Sequence, residues 1–245
     1  MNLVLLRGLG REKAHWLDFP EKLEASLDIK THLVDHPGMG EHTHLFSPTK
    51  IKDYSKFLMK EVERLNIPKG SILLGHSLGG MIALDCASRE PGFFSKVILI
   101  NTSDGRSKAI QQRLRFFGLK KLVQILLKKD IKEKEIQVLE MISNNKTASN
   151  EVLDPWVNIA KSNPMSPLSL LNQAVAASQF TAPTLYSAPL HFLTSKGDKM
   201  VSHECSEILA KDLNAKLHMH QWAGHDLVLD DPEWVVETLR NILKE

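Results

Sequence analysis

The chain of 245 residues is longer than the common single domain, yet within what one α/β fold can fill, so one main domain carrying an insertion is the expectation. Hydrophobic residues at 42% and charged residues at 24% give enough apolar surface for a sizeable core and exclude collagen-like, low-complexity and disordered chains. With 31 basic against 29 acidic side chains the net charge is +2, which gives no global reason to expect nucleic acid.

The first apolar run, Leu3 to Leu6, ends in Arg7-Gly8-Leu9-Gly10. It is too short for a membrane span, and no stretch has the layout of a cleavable signal. Trp16, Phe19, Leu23 and Leu27 recur at helical spacing, which predicts a helix over His15 to Leu27. A second strand, Lys30 to Val34, runs into the turn formers Asp35-His36-Pro37-Gly38-Met39-Gly40. A helix bearing Ile51, Tyr54, Phe57, Leu58 and Leu65 follows, then the buried strand Ile72 to Leu74, then Gly75-His76-Ser77-Leu78-Gly79-Gly80 and a helix to about Arg89. Further strands are predicted at Val97 to Ile100, Leu190 to Leu193 and Lys216 to Met219, with a helix at Ser202 to Leu213 between the last two. Asp231 and Pro232 read as the start of a C-terminal helix, and Asp230 also as a capping residue. Strands alternating with helices imply a parallel sheet of six strands with helices on both faces. The alternation breaks between Asp104 and about Ser187, too long for a crossover, so residues 104–187 are expected to form a helical cap on a core made of 1–103 and 188–245.

Ligands bind outside the carboxyl ends of parallel strands, so the strand-end sequences are where chemistry is expected. Gly-x-Ser-x-Gly at 75–79 recurs by chance in unrelated chains, but here a buried strand leads in and a helix leads out, as a nucleophile elbow requires. Side chains at 75 and 79 would collide in so tight a turn, and Ser77 would sit at a helix N-terminus. A serine hydroxyl needs a base, and the base an orienting carboxylate. Of eleven histidines, His225 alone lies in a loop directly after the last strand, Trp222-Ala223-Gly224-His225-Asp226. For the carboxylate, Asp198 in Lys196-Gly197-Asp198 is favoured over Asp104, and Asp226 is too close in sequence to turn back on His225.

Through these motifs the chain resembles the α/β-hydrolase family over nearly its whole length. The resemblance implies a minimal α/β-hydrolase core with about six mostly parallel strands and a cap. It also implies Ser77, Asp198 and His225 as catalytic residues and the backbone N–H groups of Leu9 and Leu78 as oxyanion donors. Asp35-His36-Pro37-Gly38-Met39-Gly40 is similar to a turn of the same family. Arg7 stands where the family usually has histidine; it either pairs with a local carboxylate or binds an anionic substrate group. The activity implied is that of a serine hydrolase acting on a carboxylic ester or thioester. A C–C lyase using the same residues and a non-catalytic binding module on the same scaffold are the alternatives.

Other signals carry less. His36, His42 and His44 lack a tight carboxylate or thiolate set for a metal, and Gly8 and Gly10 lack the rest of a dinucleotide fingerprint, so no metal or cofactor is expected. Cys86 and Cys205 form no disulfide framework or zinc spacing, which fits a reducing cytoplasm, and Cys86 reads as an inert buried thiol. His76 reads as packing or locally hydrogen-bonded. From Asp104 to Glu135 ten basic residues, among them Lys120, Lys121, Lys128 and Lys129, face four acidic ones, while Ile110, Leu114, Phe117, Leu122, Leu126 and Leu127 recur at near-helical spacing. This segment is expected to form basic amphipathic helices of the cap, either simply solvated or drawing an anionic head group, an acidic acyl carrier or a membrane surface to a small-molecule acyl substrate.

Overall fold

The computed structural model describes residues 1–105, 125, 128–145 and 150–245. The strands β1 (Asn2–Leu6), β2 (Lys30–Val34), β3 (Ile72–His76), β4 (Lys96–Ile100), β5 (Leu190–Ser195) and β6 (Lys216–His220) form one sheet in the order β2-β1-β3-β4-β5-β6. All five pairings are parallel. Because successive side chains point to opposite faces, each apolar strand feeds two cores. Leu3, Leu5, Leu74, Ile98 and Ile100 pack with Trp16, Phe19 and the apolar side of the last helix. Val4, Leu6, Leu73, Val97 and Leu99 pack on the opposite side, against the helices that follow β2 and β3.

The crossovers are α1 (Phe19–Leu27) between β1 and β2, α2 (Ile51–Arg64) between β2 and β3, and α3 (Leu78–Arg89) between β3 and β4. The chain steps from β1 outward to β2, then returns across β1 to β3. Strand order therefore reverses between β1 and β3, which opens a crevice at their carboxyl ends and brings the loop at Arg7 beside Ser77. Between β4 and β5 the described residues include α4 (Ile131–Ile142), α5 (Asn150–Ser162) and α6 (Pro167–Gln179). Asp130 caps α4 by accepting from the Glu133 amide, and Ser166 caps α6 by accepting from the Ser169 amide. Leu139, Met141 and Ile142 of α4 bury against Val152 and Trp156 of α5, a third apolar cluster apart from the sheet. Helix α7 (His203–Asp212) joins β5 to β6, and the short α8 (Leu227–Asp230) precedes α9 (Pro232–Leu243). Among the described residues no helix is long and apolar enough to cross a membrane.

Two expectations change. The single helix over His15 to Leu27 is in fact a 3₁₀ turn, Lys13–Trp16, followed by α1. Leu17 breaks it with φ at +51°, and Pro20, whose missing N–H is harmless only in a first turn, marks the restart. Asp231 caps α9 as expected, through the Trp234 amide at 3.0 Å, but Asp230 caps nothing and instead serves the loop of His225. The expected basic helices with Arg106, Lys108, Arg113, Arg115, Lys120 and Lys121, and with Ile110, Leu114, Phe117, Leu122, Leu126 and Leu127, lie outside the described residues.

Leu73 is fully buried in β3. Leu73→Ala should cost about 2–5 kcal/mol, read as a lower urea midpoint, whereas Leu185→Ala, at a side chain 82% exposed, should stay within about 0.5 kcal/mol.

Candidate active site

Strand β3 delivers Ser77 into a turn with φ at +54° and ψ at −114°, a conformation that non-glycine residues rarely adopt. The turn is held on both sides: the Ser77 amide donates to the Ile100 carbonyl at 2.8 Å, and Thr102 Oγ1 donates to the Ser77 carbonyl at 2.9 Å. It closes only because two neighbours have no side chain. A Cβ on Gly75 would lie 2.2 Å from the Gly79 carbonyl oxygen, and one on Gly79 would lie 2.5 Å from that of Leu6.

His225 follows β6. Its Nδ1–H donates to Asp198 Oδ2 at 2.7 Å, which leaves Nε2 to accept from Ser77 Oγ at 3.0 Å. Asp198 lies in the turn after β5, where Oδ1 accepts from the Met200 and Val201 amides at 2.7 and 2.9 Å. Those two bonds aim Oδ2 at the imidazole. Asp104 does not reach His225; its carboxylate accepts from the Ala182 amide at 2.8 Å. Of the two carboxylates weighed from the sequence, Asp198 is the one beside His225.

The backbone of the histidine loop is fixed by His76, read from the sequence as packing or locally hydrogen-bonded, by Asp230, read there as a helix cap, and by Asn101, which the sequence analysis did not single out. The His225 carbonyl accepts from Asn101 Nδ2 at 2.7 Å and from His76 Nε2 at 2.8 Å. A carbonyl acceptor places the His76 proton on Nε2, and burial lowers this imidazole to about 3, so it is neutral here. Asn101 stands at the end of β4 with φ at +46°, and its Oδ1 accepts from the Ser195 amide, so one side chain spans β4, β5 and the histidine loop. An asparagine directly after a buried strand, able to tolerate that φ, was the available signal. Asp230 accepts from the Gly224 amide at 2.5 Å and from the Asn144 amide at 2.8 Å, tying the same loop to the end of α4.

Arg7 has the carboxylate partner that was one of its two expected roles. Its Nη1 and Nη2 donate to Asp226 at 3.3 and 2.5 Å, with both side chains almost fully buried, and the guanidinium lies 4.6 Å over the Trp16 ring. Both terminal nitrogens bond within the protein, while Nε is buried without a partner and the residue lines the cavity at Ser77. Burial alone would raise the Asp226 carboxyl, but the charge of Arg7 outweighs it and holds the group far below the usual carboxylate range. The carbonyl of Arg7 accepts from His36 Nε2 at 2.8 Å, so the turn after β2 anchors the loop after β1.

Leu9 and Leu78 flank the serine. Leu78 opens α3, and the loop carrying Leu9 packs so closely that a Cβ on Gly8 would lie 3.1 Å from that of Ser77. A cavity of about 300 Å³ opens at Ser77 and His225, lined by Leu9, Ile125, Val138, Met141, Met165 and Leu170 and by the charged Arg7, Arg11, Lys134 and Glu135. Burial pushes the Cys86 thiol up to about 12, and Cys205 is buried as well. In the histidine-rich loop, His42 lies close to Glu41 and Glu61, but Arg64 holds Glu61 and Lys13 holds Glu41.

A model of the alpha/beta hydrolase family matches residues 3–238. The chain belongs to that family. Among curated relatives, it is 33% identical over 102 residues to the pimeloyl-[acyl-carrier protein] methyl ester esterase of Vibrio vulnificus strain CMCP6, covering 42% of this chain and 37% of that protein. It is 37% identical over 103 residues to the biotin biosynthesis bifunctional protein BioHC of Teredinibacter turnerae, covering 41% of this chain and 17% of that one. The matched stretch thus spans little more than a third of the first relative and less of the second. The solved structure of an esterase from Exiguobacterium antarcticum superposes with a TM-score of 0.79 at 19% identity, over 100% of this chain and 92% of that one, a likeness of fold.

The Arg7–Asp226 pair makes a direct test. Arg7→Met should cost about 3–5 kcal/mol, because Asp226 is left charged and buried alone, while Arg7→Met with Asp226→Leu should recover most of that loss. Equal urea midpoints for the single and double variants would show that the two side chains are not coupled.

Proposed function

We propose that the protein is a serine hydrolase that cleaves a carboxylic ester or thioester through an acyl-enzyme on Ser77. The observation that carries this reading is the relay from Asp198 through His225 to Ser77, at 2.7 and 3.0 Å, opening on a largely apolar cavity. As Ser77 Oγ attacks the carbonyl carbon, His225 Nε2 takes its proton, and Asp198 holds Nδ1–H and stabilises the imidazolium. The N–H groups of Leu9 and Leu78 receive the oxyanion; at Leu78, the first residue of α3, a helix has no internal acceptor to offer. His225 then gives the proton to the departing alcohol or thiol. Water, deprotonated by the same imidazole, attacks the acyl-enzyme, releases the acid and restores Ser77. Apart from substrate and water, every group in the cycle is a side chain or amide of this chain.

In this reading residues 104–187 act as a cap on a core of 1–103 and 188–245, since Glu135, Met141, Met165 and Leu170 wall the cavity from the cap side. The relative from Vibrio vulnificus is named for a pimeloyl-[acyl-carrier protein] methyl ester, which supports a small acyl substrate here. Exposed Lys128, Lys129 and Lys132 near the start of α4 support an anionic head group or an acidic acyl carrier meeting the cap. Cys86 and Cys205, both buried and not joined in a disulfide, support a reducing cytoplasm.

Turnover of a panel of acyl esters tests the proposal. Ser77→Ala should lower turnover by on the order of 10⁴-fold or more with the fold retained by circular dichroism, and Asp198→Asn by a similar order through the wrong imidazole tautomer. Asp104→Asn should stay close to the parent. A folded Ser77→Ala protein with full turnover would overturn the mechanism, and a large loss at Asp104 with none at Asp198 would overturn the assignment of the acid.

A further inference from the structure

The cavity beside Ser77 carries polar capacity that ester cleavage does not use. Of the residues lining it, Arg11 donates through Nη1 to Glu135 Oε2 at 2.7 Å, and the guanidinium lies 4.2 Å over the Trp156 ring. The second terminal nitrogen, Nη2, is buried and has no hydrogen-bond partner. A buried N–H left unmade costs its full desolvation, and this one belongs to a residue that lines the cavity. Burial also pulls the Arg11 guanidinium down from its usual value, against the opposing pull of Glu135, which reports how far this charge has been taken from water.

Charge at the same wall is unbalanced. Arg7 is matched by Asp226, and Arg11 by Glu135. Lys134, the residue before Glu135 on α4, also lines the cavity, and among the described residues no carboxylate pairs with it. Positions 134, 135, 138, 141 and 142 of α4 all line the cavity, as the helical repeat requires of one face. The residues lining this wall thus include a guanidinium whose Nη2 makes no hydrogen bond and an ammonium with no carboxylate partner among the described residues. Leu9, Met141 and Leu170 supply apolar surface in the same space.

We propose that Arg11 and Lys134 form a receptor for a carboxylate on the substrate, remote from the scissile ester, so that the preferred substrate is the half-ester of a dicarboxylic acid. The proposal rests on the esterase reading above and deepens it. On binding the guanidinium turns Nη2 toward the cavity, one carboxylate oxygen accepts from it and the other meets the Lys134 ammonium, while the methylene chain lies on the apolar wall and the ester reaches Ser77. A plain alkyl ester of equal length leaves the Arg11 N–H unmade and the ammonium facing carbon. Sites built around a polar partner reject the analogue that lacks it far more strongly than apolar pockets discriminate by size. Arg11 and Lys134 are specificity residues here; neither takes part in the bond-breaking step.

The test compares monomethyl esters of dicarboxylic acids with methyl esters of monocarboxylic acids at matched chain lengths of about four to about eight carbons. At its best length the half-ester should exceed the neutral ester in kcat/KM by on the order of tenfold or more, mainly through KM. Arg11→Gln should bring that ratio close to one by raising KM for the half-ester. Arg11→Lys should retain part of it, and Glu135→Gln, which frees Nη1, should raise it. If Arg11→Gln does not fold, Lys134→Met and Glu135→Gln carry the comparison, with a fall and a rise in the ratio respectively. Neutral esters cleaved as well as half-esters at every length, or a preference that survives Arg11→Gln or, in its place, Lys134→Met, would overturn the receptor and leave the esterase reading standing. If no ester of either class is cleaved, the esterase reading fails, and binding decides the receptor. Saturable quenching of tryptophan fluorescence in Ser77→Ala by monomethyl adipate and not by methyl hexanoate, lost in Lys134→Met, would support it; the absence of such quenching would overturn it.

Discussion

The turn at Ser77 leaves no space for a carbon atom at either neighbouring glycine, and the geometry at the carboxyl edge of the sheet follows from that constraint. A backbone at φ +54° and ψ −114° costs on the order of 1–3 kcal/mol and persists only where surrounding structure over-determines it. Here the serine amide is tied to β4 and its carbonyl to Thr102, while α3 presses Gly79 against the end of β1. Because β1 and β3 flank the reversal in strand order, the same close approach lays the Leu9 loop beside the hydroxyl. One strained residue therefore sets the position of the serine oxygen, the first amides of α3 and the mouth of the cavity together.

The histidine is held with equal economy but from a longer reach. Its ring is aimed by Asp198, and its carbonyl by Asn101 and by His76, which burial keeps neutral. The next residue, Asp226, is locked to Arg7 across 219 positions of sequence, so the start of the chain and the end of the sheet close on one ion pair. Buried pairs of this kind return little net stability after desolvation, and their value lies in the geometry they dictate. Asp230 and the Arg11–Glu135 pair extend the bonding to α4, so that helix is tied to the loops that carry Leu9 and the histidine.

Much of this was legible in the sequence, because strands and elbows are written locally. Six short strand patterns alternating with helical ones pointed to the parallel sheet, and Ser77, Asp198 and His225 each lie within five residues of the end of a strand. What stayed hidden depends on contacts between distant residues. Nothing near Arg7 names Asp226, and nothing near Asp230 distinguishes a helix cap from an acceptor for the Gly224 amide. The split of the helix at Leu17 was masked by apolar spacing that continues through the break, since Trp16 and Phe19 bury against the same core from two separate elements. Nothing near Asn101 names the three backbone groups its side chain joins, the Gly224 and His225 carbonyls and the Ser195 amide.

The central claim is that Ser77 is a nucleophile activated by His225, and covalent labelling with a fluorophosphonate tests it most directly. Intact mass after reaction should show a single phosphonyl adduct, peptide mapping should place it on Ser77, and labelling should be lost in Ser77→Ala and slowed by orders of magnitude in His225→Ala. An adduct on another residue, or a rate that does not change when His225 is replaced, would contradict it.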